Sequence, residues 1–446
     1  MEGAVSTQFS RVLIVRRGQA AIRVARTCKR LGITAVAVRS STSTLLHLEA
    51  CDVSLEVTDE EGRLDIGQLV EKAVADEIDA VHPGFGRFHQ RAELARALEQ
   101  QGLPFVGQDA DAAAALADRA AFRALVTEVG AKVVPGSEGA VADLAEAARL
   151  AEDVGYPVVL GPADDGDAPT WTVVRDEDDL PAAYQSLADQ GPVALEAWLP
   201  RARAVELLVA IDSNGDVAPV CDREETLFAE GRSLIEECPS AAFVFRTDGE
   251  AIREMAFDIA LRVARHVDCP GLLRVGILVD EAGRLFVSHA DLGLPMLLTA
   301  AEMVTGLDLV ELEMSLAAGD PLPDEVLALQ PSGHAISAQL MAAVDCDLNA
   351  VAETLRFPAA PQRSVRVEQS VAPGFSMPSD DQPRLAKVTA FAPIRHQAAL
   401  TLDRMLAGAV IAPYPTNRDR LRGILNDESF RAGQYDASFF ETRQSN

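Results

Sequence analysis

Apolar residues in the first hundred positions fall into short runs separated by stretches of helical spacing. Val12-Leu-Ile-Val15 is an unbroken apolar run closed by Gly18. After it, Ala21, Val24, Ala25, Cys28 and Leu31 share one helical face, with Arg23, Arg26, Lys29 and Arg30 on the other. Gly32 ends that pattern, and Ala35-Val-Ala-Val38 reads as a second strand. Strand, helix and strand over about 30 residues make a βαβ unit with its strands parallel. The pattern recurs as a helix near 64–77, the strand Ile78-Asp-Ala-Val81 leading into His82-Pro-Gly-Phe-Gly86, a helix near 90–101 and the strand Pro104-Phe-Val106. A doubly wound parallel sheet ending around residue 113 is predicted.

Beyond it the periods change. A helix near 118–129 precedes strand-like runs at 157–160, 171–174, 193–195 and 204–211, with an acidic loop from Gly161 to Thr170 between them. From about 214 a mixed sheet is expected. It carries a long helix near 249–266 and a hairpin, Val275 to Leu278 and Arg284 to Val287, around Asp280-Glu-Ala-Gly283. The last third reads as Pro-rich connections over 358–383 and a helix near 395–408.

A chain of 446 residues fits about three domains. Its 48% hydrophobic and 24% charged residues supply a real core, which excludes a disordered chain or a disulfide-stapled miniature. Forty basic against 68 acidic residues leave a net charge of −28. Such a surface repels phosphate backbones and anionic membranes, so neither is an expected partner, and ATP would need a locally basic pocket. The six cysteines form no C-x-x-C pair, as suits reduced structural thiols. The N-terminus lacks an apolar signal core, and the apolar stretch Leu292 to Ala301 is too short to span a bilayer. The expectation is a soluble cytoplasmic protein.

Several stretches together resemble the biotin carboxylase family, the ATP-grasp subunit of acyl-CoA carboxylases. Val12 to Arg23 resembles its opening strand, N-R-G-E turn and helix, and His82-Pro-Gly-Phe-Gly86 its H-P-G-Y-G turn. Glu302-Met-Val-Thr-Gly-Leu-Asp-Leu-Val310, Ala317-Ala-Gly-Asp-Pro321, Gly333-His-Ala335 and Pro383-Arg-Leu-Ala-Lys-Val388 follow in the family's order. The resemblance spans roughly residues 8–443, and the family's biotin-carrying domain has no counterpart in it. It implies an N-terminal doubly wound α/β domain (1–113), an ATP-grasp core (114–330) with a lid at about 131–203, and an α+β C-terminal domain (331–446). In the family, ATP and bicarbonate make carboxyphosphate, and the carboxyl group passes to biotin.

Carried over position by position, the resemblance finds most of that chemistry replaced. The lid lysine is Gly161, and the glycine run after it is acidic, with Asp164, Asp165 and Asp167. The two magnesium glutamates are Gly276 and His289, and the asparagine is Asp291. One carboxylate and one imidazole suit a hard cation poorly. His289 and Asp291 share a strand face, which allows a transition metal or, more simply, a His–Asp hydrogen bond. The family's arginine is Gly293, its bicarbonate base Leu297 and its biotin arginine Gln339; the histidine before Glu206 is Ala204. Of the basic run before Glu236-Glu237, Arg232 remains.

Arg119, at a phosphate lysine, and Glu196, at an adenosine-side glutamate, are the remnants of an ATP site, and no metal ligand or catalytic residue is assigned. In the plainer alternative, Arg119 pairs with Asp118 or a nearby carboxylate, and Glu196 is a solvated helix-start residue. His82 reads as a turn residue and His334 as a structural histidine. The leading expectation is a catalytically inactive biotin-carboxylase-like protein without cofactor, a scaffold or regulatory subunit. It would form homo- or hetero-oligomers with biotin carboxylase, carboxyltransferase or biotin carrier subunits. The alternatives are a divergent active ligase using ATP and Mg, with a site rebuilt from Arg119, Arg232, Glu196, Glu206 and Asp291, and a metabolite sensor using the old ATP cleft.

Overall fold

The computed structural model describes residues 9–39, 46–57, 64–86, 90–163, 171–229, 232–343, 346–347, 350–375 and 384–440. The lid aspartates 164, 165 and 167 lie outside them.

The first sheet follows from its apolar runs. Strands Arg11–Ile14, Thr34–Arg39, Val53–Glu56 and Ala80–His82 are all parallel, with Arg11–Ile14 between Thr34–Arg39 and Ala80–His82. Val12, Leu13 and Ile14 are fully buried because helices cover both faces. Pro104-Phe-Val106 adds a single parallel bridge, Val81 to Phe105, instead of a strand. The helix Gly18–Leu31 buries Ala21, Val24, Ala25 and Cys28 on one face and exposes Arg26, Lys29 and Arg30 on the other. Arg23 turns inward to Glu302 and, at 2.8 Å, Asp308, and Arg30 meets Asp308 at 2.8 Å. Two residues of its basic face thus meet Asp308, the N-cap of the neighbouring helix Leu309–Ala317.

An eight-stranded antiparallel sheet forms the centre. Its order is Leu285–Leu292, Gly271–Val279, Arg203–Ile211, Val217–Ala229, Arg232–Cys238, His334–Met341, Arg384–Ala392, Val365–Gln369. Arg232–Cys238 pairs directly with His334–Met341, so one sheet runs through the middle and the C-terminal parts of the chain. The helix Gly249–Val267 covers it with Ile252, Ala256, Ala260 and Val263, one face of a 3.6-residue period. Val365–Gln369 lies inside the stretch read as Pro-rich connections; its alternation is local, but only pairing with Arg384–Ala392 makes it a strand.

A smaller unit has its own sheet and core. Three strands, Thr172–Val174, Val158–Pro162 and Val193–Ala197, carry the helices Leu144–Val154 and Leu180–Ala188 around a separate core of Val158, Leu160 and Leu195. Among the described residues no helix is long and apolar enough to cross a membrane.

Candidate functional site

The site is built by strand register. Arg223, Glu206, Gly276 and His289 lie opposite one another across four neighbouring strands. Two residues along, on the same face, Arg274 lies opposite Asp291. Gly276 has no side chain, and the His289 imidazole occupies the space above it. A Cβ there would lie 2.8 Å from Nε2 and closer still to Cε1 and Nδ1. The place of the first magnesium glutamate is thus filled by the side chain at the place of the second.

The row is an ionic network. Glu206 is engaged by Arg223 and, at 3.3 Å, by Arg274; Arg223 also meets Glu225 at 2.7 Å and Glu236. Burial pushes the Glu206 carboxyl up, but the two guanidiniums outweigh it and hold it well below the usual range. Asp291 is bridged by Arg274 and by Arg91, which comes from the N-terminal helix Arg91–Glu99. The carboxylates grouped with His289 are therefore Glu206 and Glu225, a different set from the pairing with Asp291 that strand spacing suggests. Residues 206, 225 and 289 sit on three strands, and no local pattern announces Glu225.

The two remnants of the nucleotide site find each other. Asp118 caps the helix Arg119–Glu128, accepting from the Ala121 N–H at 2.8 Å, which leaves Arg119 to pair with Glu196. Arg119 Nη1 also donates to Ser288 O at 2.7 Å. Glu196 is buried within Val193–Ala197 and is held by Arg123 as well, at 3.4 Å, so it is a strand residue and not a solvated helix start. At the lid lysine position the Trp171 indole lies on Gly161, where a Cβ would meet the ring at 2.6 Å.

The remaining positions are equally closed. Gly293 has φ +86°, and a Cβ there would meet Gln108 Nε2 at 3.0 Å and Glu313 Oε1 at 3.1 Å. Leu297 is fully buried, and Gln339 is buried in the central sheet. Arg232 Nη1 lies 3.3 Å from Met341 Sδ. His82 Nδ1 accepts from the Gly84 N–H at 2.9 Å, which pins the turn. His334 Nε2 lies 2.6 Å from Glu237 in a buried group completed by Arg395 and Tyr435.

A magnesium ion bound through Gly276, His289 and Asp291 does not fit this arrangement. Gly276 offers no oxygen and His289 offers nitrogen, which leaves Asp291 as the one side-chain oxygen donor of the three. Gly276→Glu, which restores the family's side chain, must displace His289 and bring a further carboxylate beside Glu206 and Glu225. We expect it to destabilise the fold by about 1–3 kcal/mol, seen as a lower urea midpoint at unchanged slope. An unchanged midpoint would show that the imidazole moves aside freely.

Comparison with known proteins places this geometry. Residues 8–113 match the model of the biotin carboxylase N-terminal domain, 118–325 that of the carbamoyl-phosphate synthase L chain ATP binding domain, and 351–442 that of the biotin carboxylase C-terminal domain. The chain is 29% identical over 443 residues to the biotin carboxylase of Halalkalibacterium halodurans, covering 97% of each. It is 28% identical to the mitochondrial methylcrotonoyl-CoA carboxylase subunit alpha of Arabidopsis thaliana, covering 98% of this chain and 61% of that one. Among solved structures, the biotin carboxylase domain dimer of Hydrogenobacter thermophilus 2-oxoglutarate carboxylase, with MgADP, ADP and bicarbonate, superposes with a TM-score of 0.90 at 25% identity, covering 98% of each chain.

Proposed function

The chain belongs to the biotin carboxylase family, and from that premise we propose that it serves an acyl-CoA-carboxylase-type assembly as a non-catalytic, shape-bearing subunit. The observation that carries this reading is that the lost groups have been replaced by packing. Trp171 lies over the lysine position, His289 over the first metal position, and Arg119 is spent on Glu196. Glycine at the family's arginine cannot hold an anion, and leucine at its base cannot take a proton. Loss of one transition-state group costs roughly 10²–10³ in rate, and here several are lost together. Partners of the same family, or carboxyltransferase and biotin carrier subunits, suit the role, since one relative is itself named as a carboxylase subunit.

The relatives' names support a second reading, an ATP-dependent biotin carboxylase with a rebuilt site. It needs Arg119 to leave Glu196 for phosphate. The two readings part in one experiment, calorimetric titration with ATP and excess magnesium, followed by assay of bicarbonate-dependent ATP hydrolysis. We expect no saturable heat up to millimolar nucleotide and no turnover above background. Saturable binding with hydrolysis abolished by Arg119→Ala would establish the ligase.

A further inference from the structure

We propose that Glu206, Glu225 and His289 form a binding site for a borderline divalent cation of the zinc class, independent of nucleotide. The inference does not rest on the non-catalytic reading, since it concerns the metal alone.

The geometry is that of a half-assembled ligand set. One atom from each residue lies within 4.8 Å of the others, and His289 Nε2 stands 3.9 Å from Glu206 Oε2. That is too long for a hydrogen bond. Two ligands of a tetrahedral zinc ion lie about 3.4 Å apart, so closing the His289–Glu206 pair asks for a shift of about half an ångström. His289 is oriented from behind, with Nδ1 3.0 Å from Ser288 Oγ. In the tautomer that donates Nδ1–H to that hydroxyl, Nε2 turns its lone pair on two carboxylates, an arrangement that a cation between them makes favourable. A hydrogen-bonded distal nitrogen is the usual outer support of a metal-binding histidine.

Charge and access agree. Among the described residues, the carboxylates of Glu206, Glu225, Glu236 and Asp291 lie against the guanidiniums of Arg91, Arg223 and Arg274. The His289 side chain is 35% exposed and that of Glu225 22%, so the open side of the site faces solvent. The nitrogen donor decides the metal class, because imidazole favours zinc, cobalt or nickel over magnesium or calcium. The glycine at 276 is what makes the site possible, since any side chain there would remove the imidazole from its position.

The test is made on the full chain after treatment with a chelator. Titration with Co²⁺ should give a saturable visible band at one equivalent, and Zn²⁺ should displace it where millimolar Mg²⁺ does not. His289→Ala should abolish the band while the metal-free protein keeps the parent's melting temperature; Glu225→Gln, which also loses a pairing with Arg223, should abolish the band with a lowered melting temperature. Ser288→Ala should weaken binding by about 10–100-fold. His289→Ala leaves the pairings of Arg223 with Glu206 and Glu225 in place, so a folded protein is available to read. No saturable cobalt band in the parent protein, or a band that survives both ligand variants, would overturn the proposal.

Discussion

Glu237→Gln should remove about 3–5 kcal/mol of stability at neutral pH, because it leaves Arg395 charged, buried and short of its partner. Glu237 is fully buried, 2.9 Å from Arg395 Nη2, with His334 and the Tyr435 hydroxyl on its remaining lone pairs. These partners bring together the central sheet, the helix Arg395–Ala407 and the last described segment of the chain. Burial pushes the carboxyl up, but Arg395 and His334 outweigh it and hold it well below its ordinary value of 4.5. A depressed carboxyl contributes stability above its unfolded value and loses it as pH falls. The gap between parent and variant should therefore be full at pH 7 and shrink below about pH 4.5, measured by urea denaturation across pH. A gap under 1 kcal/mol at pH 7 would mean that Arg395 finds another partner.

Glu313→Gln should act in the opposite direction. Glu313 is fully buried, neither carboxylate oxygen has a hydrogen-bond partner among the described residues, and His82 Nε2 lies 3.4 Å away. Burial pushes its carboxyl up to about 8, more than Arg91 and Arg274 can offset, while burial pushes His82 down to about 3, so the imidazole stays neutral. With a raised carboxyl the folded state binds the extra proton, so its stabilising effect is complete below 4.5 and is lost as pH rises toward 8. The parent should lose on the order of a few kcal/mol across that window. Glu313→Gln, which mimics the protonated form, should match the parent near pH 5 and exceed it at pH 8.5. Parallel stability curves for the two proteins would contradict the account.

Much of the fold is legible in local pattern. The run Val12-Leu-Ile-Val15, the helical spacing after it and the hairpin around Asp280 to Gly283 all appear where the spacing puts them, because burial of one face imposes its own period. The strand Val365–Gln369 escaped because its alternation is short and flanked by prolines. The partners of Arg23 are not legible in local pattern, because a basic helical face looks the same whether it meets water or the carboxylates of another helix.

Residue identity alone fixes which chemical groups exist. A glycine at 161, 276 or 293 cannot act as lysine, glutamate or arginine in any conformation, and the order of the motifs determined the fold that holds them. Only the tertiary structure decided what those groups touch. It spent Arg119 on Glu196, 77 residues away, turned Asp291 toward Arg91 and Arg274, and gathered Glu206, Glu225 and His289 from three strands. The physical reason is that strand register fixes which distant residues become neighbours. At a few ångströms in a buried site, the choice of partner sets charge and reactivity more strongly than the identity of either residue alone.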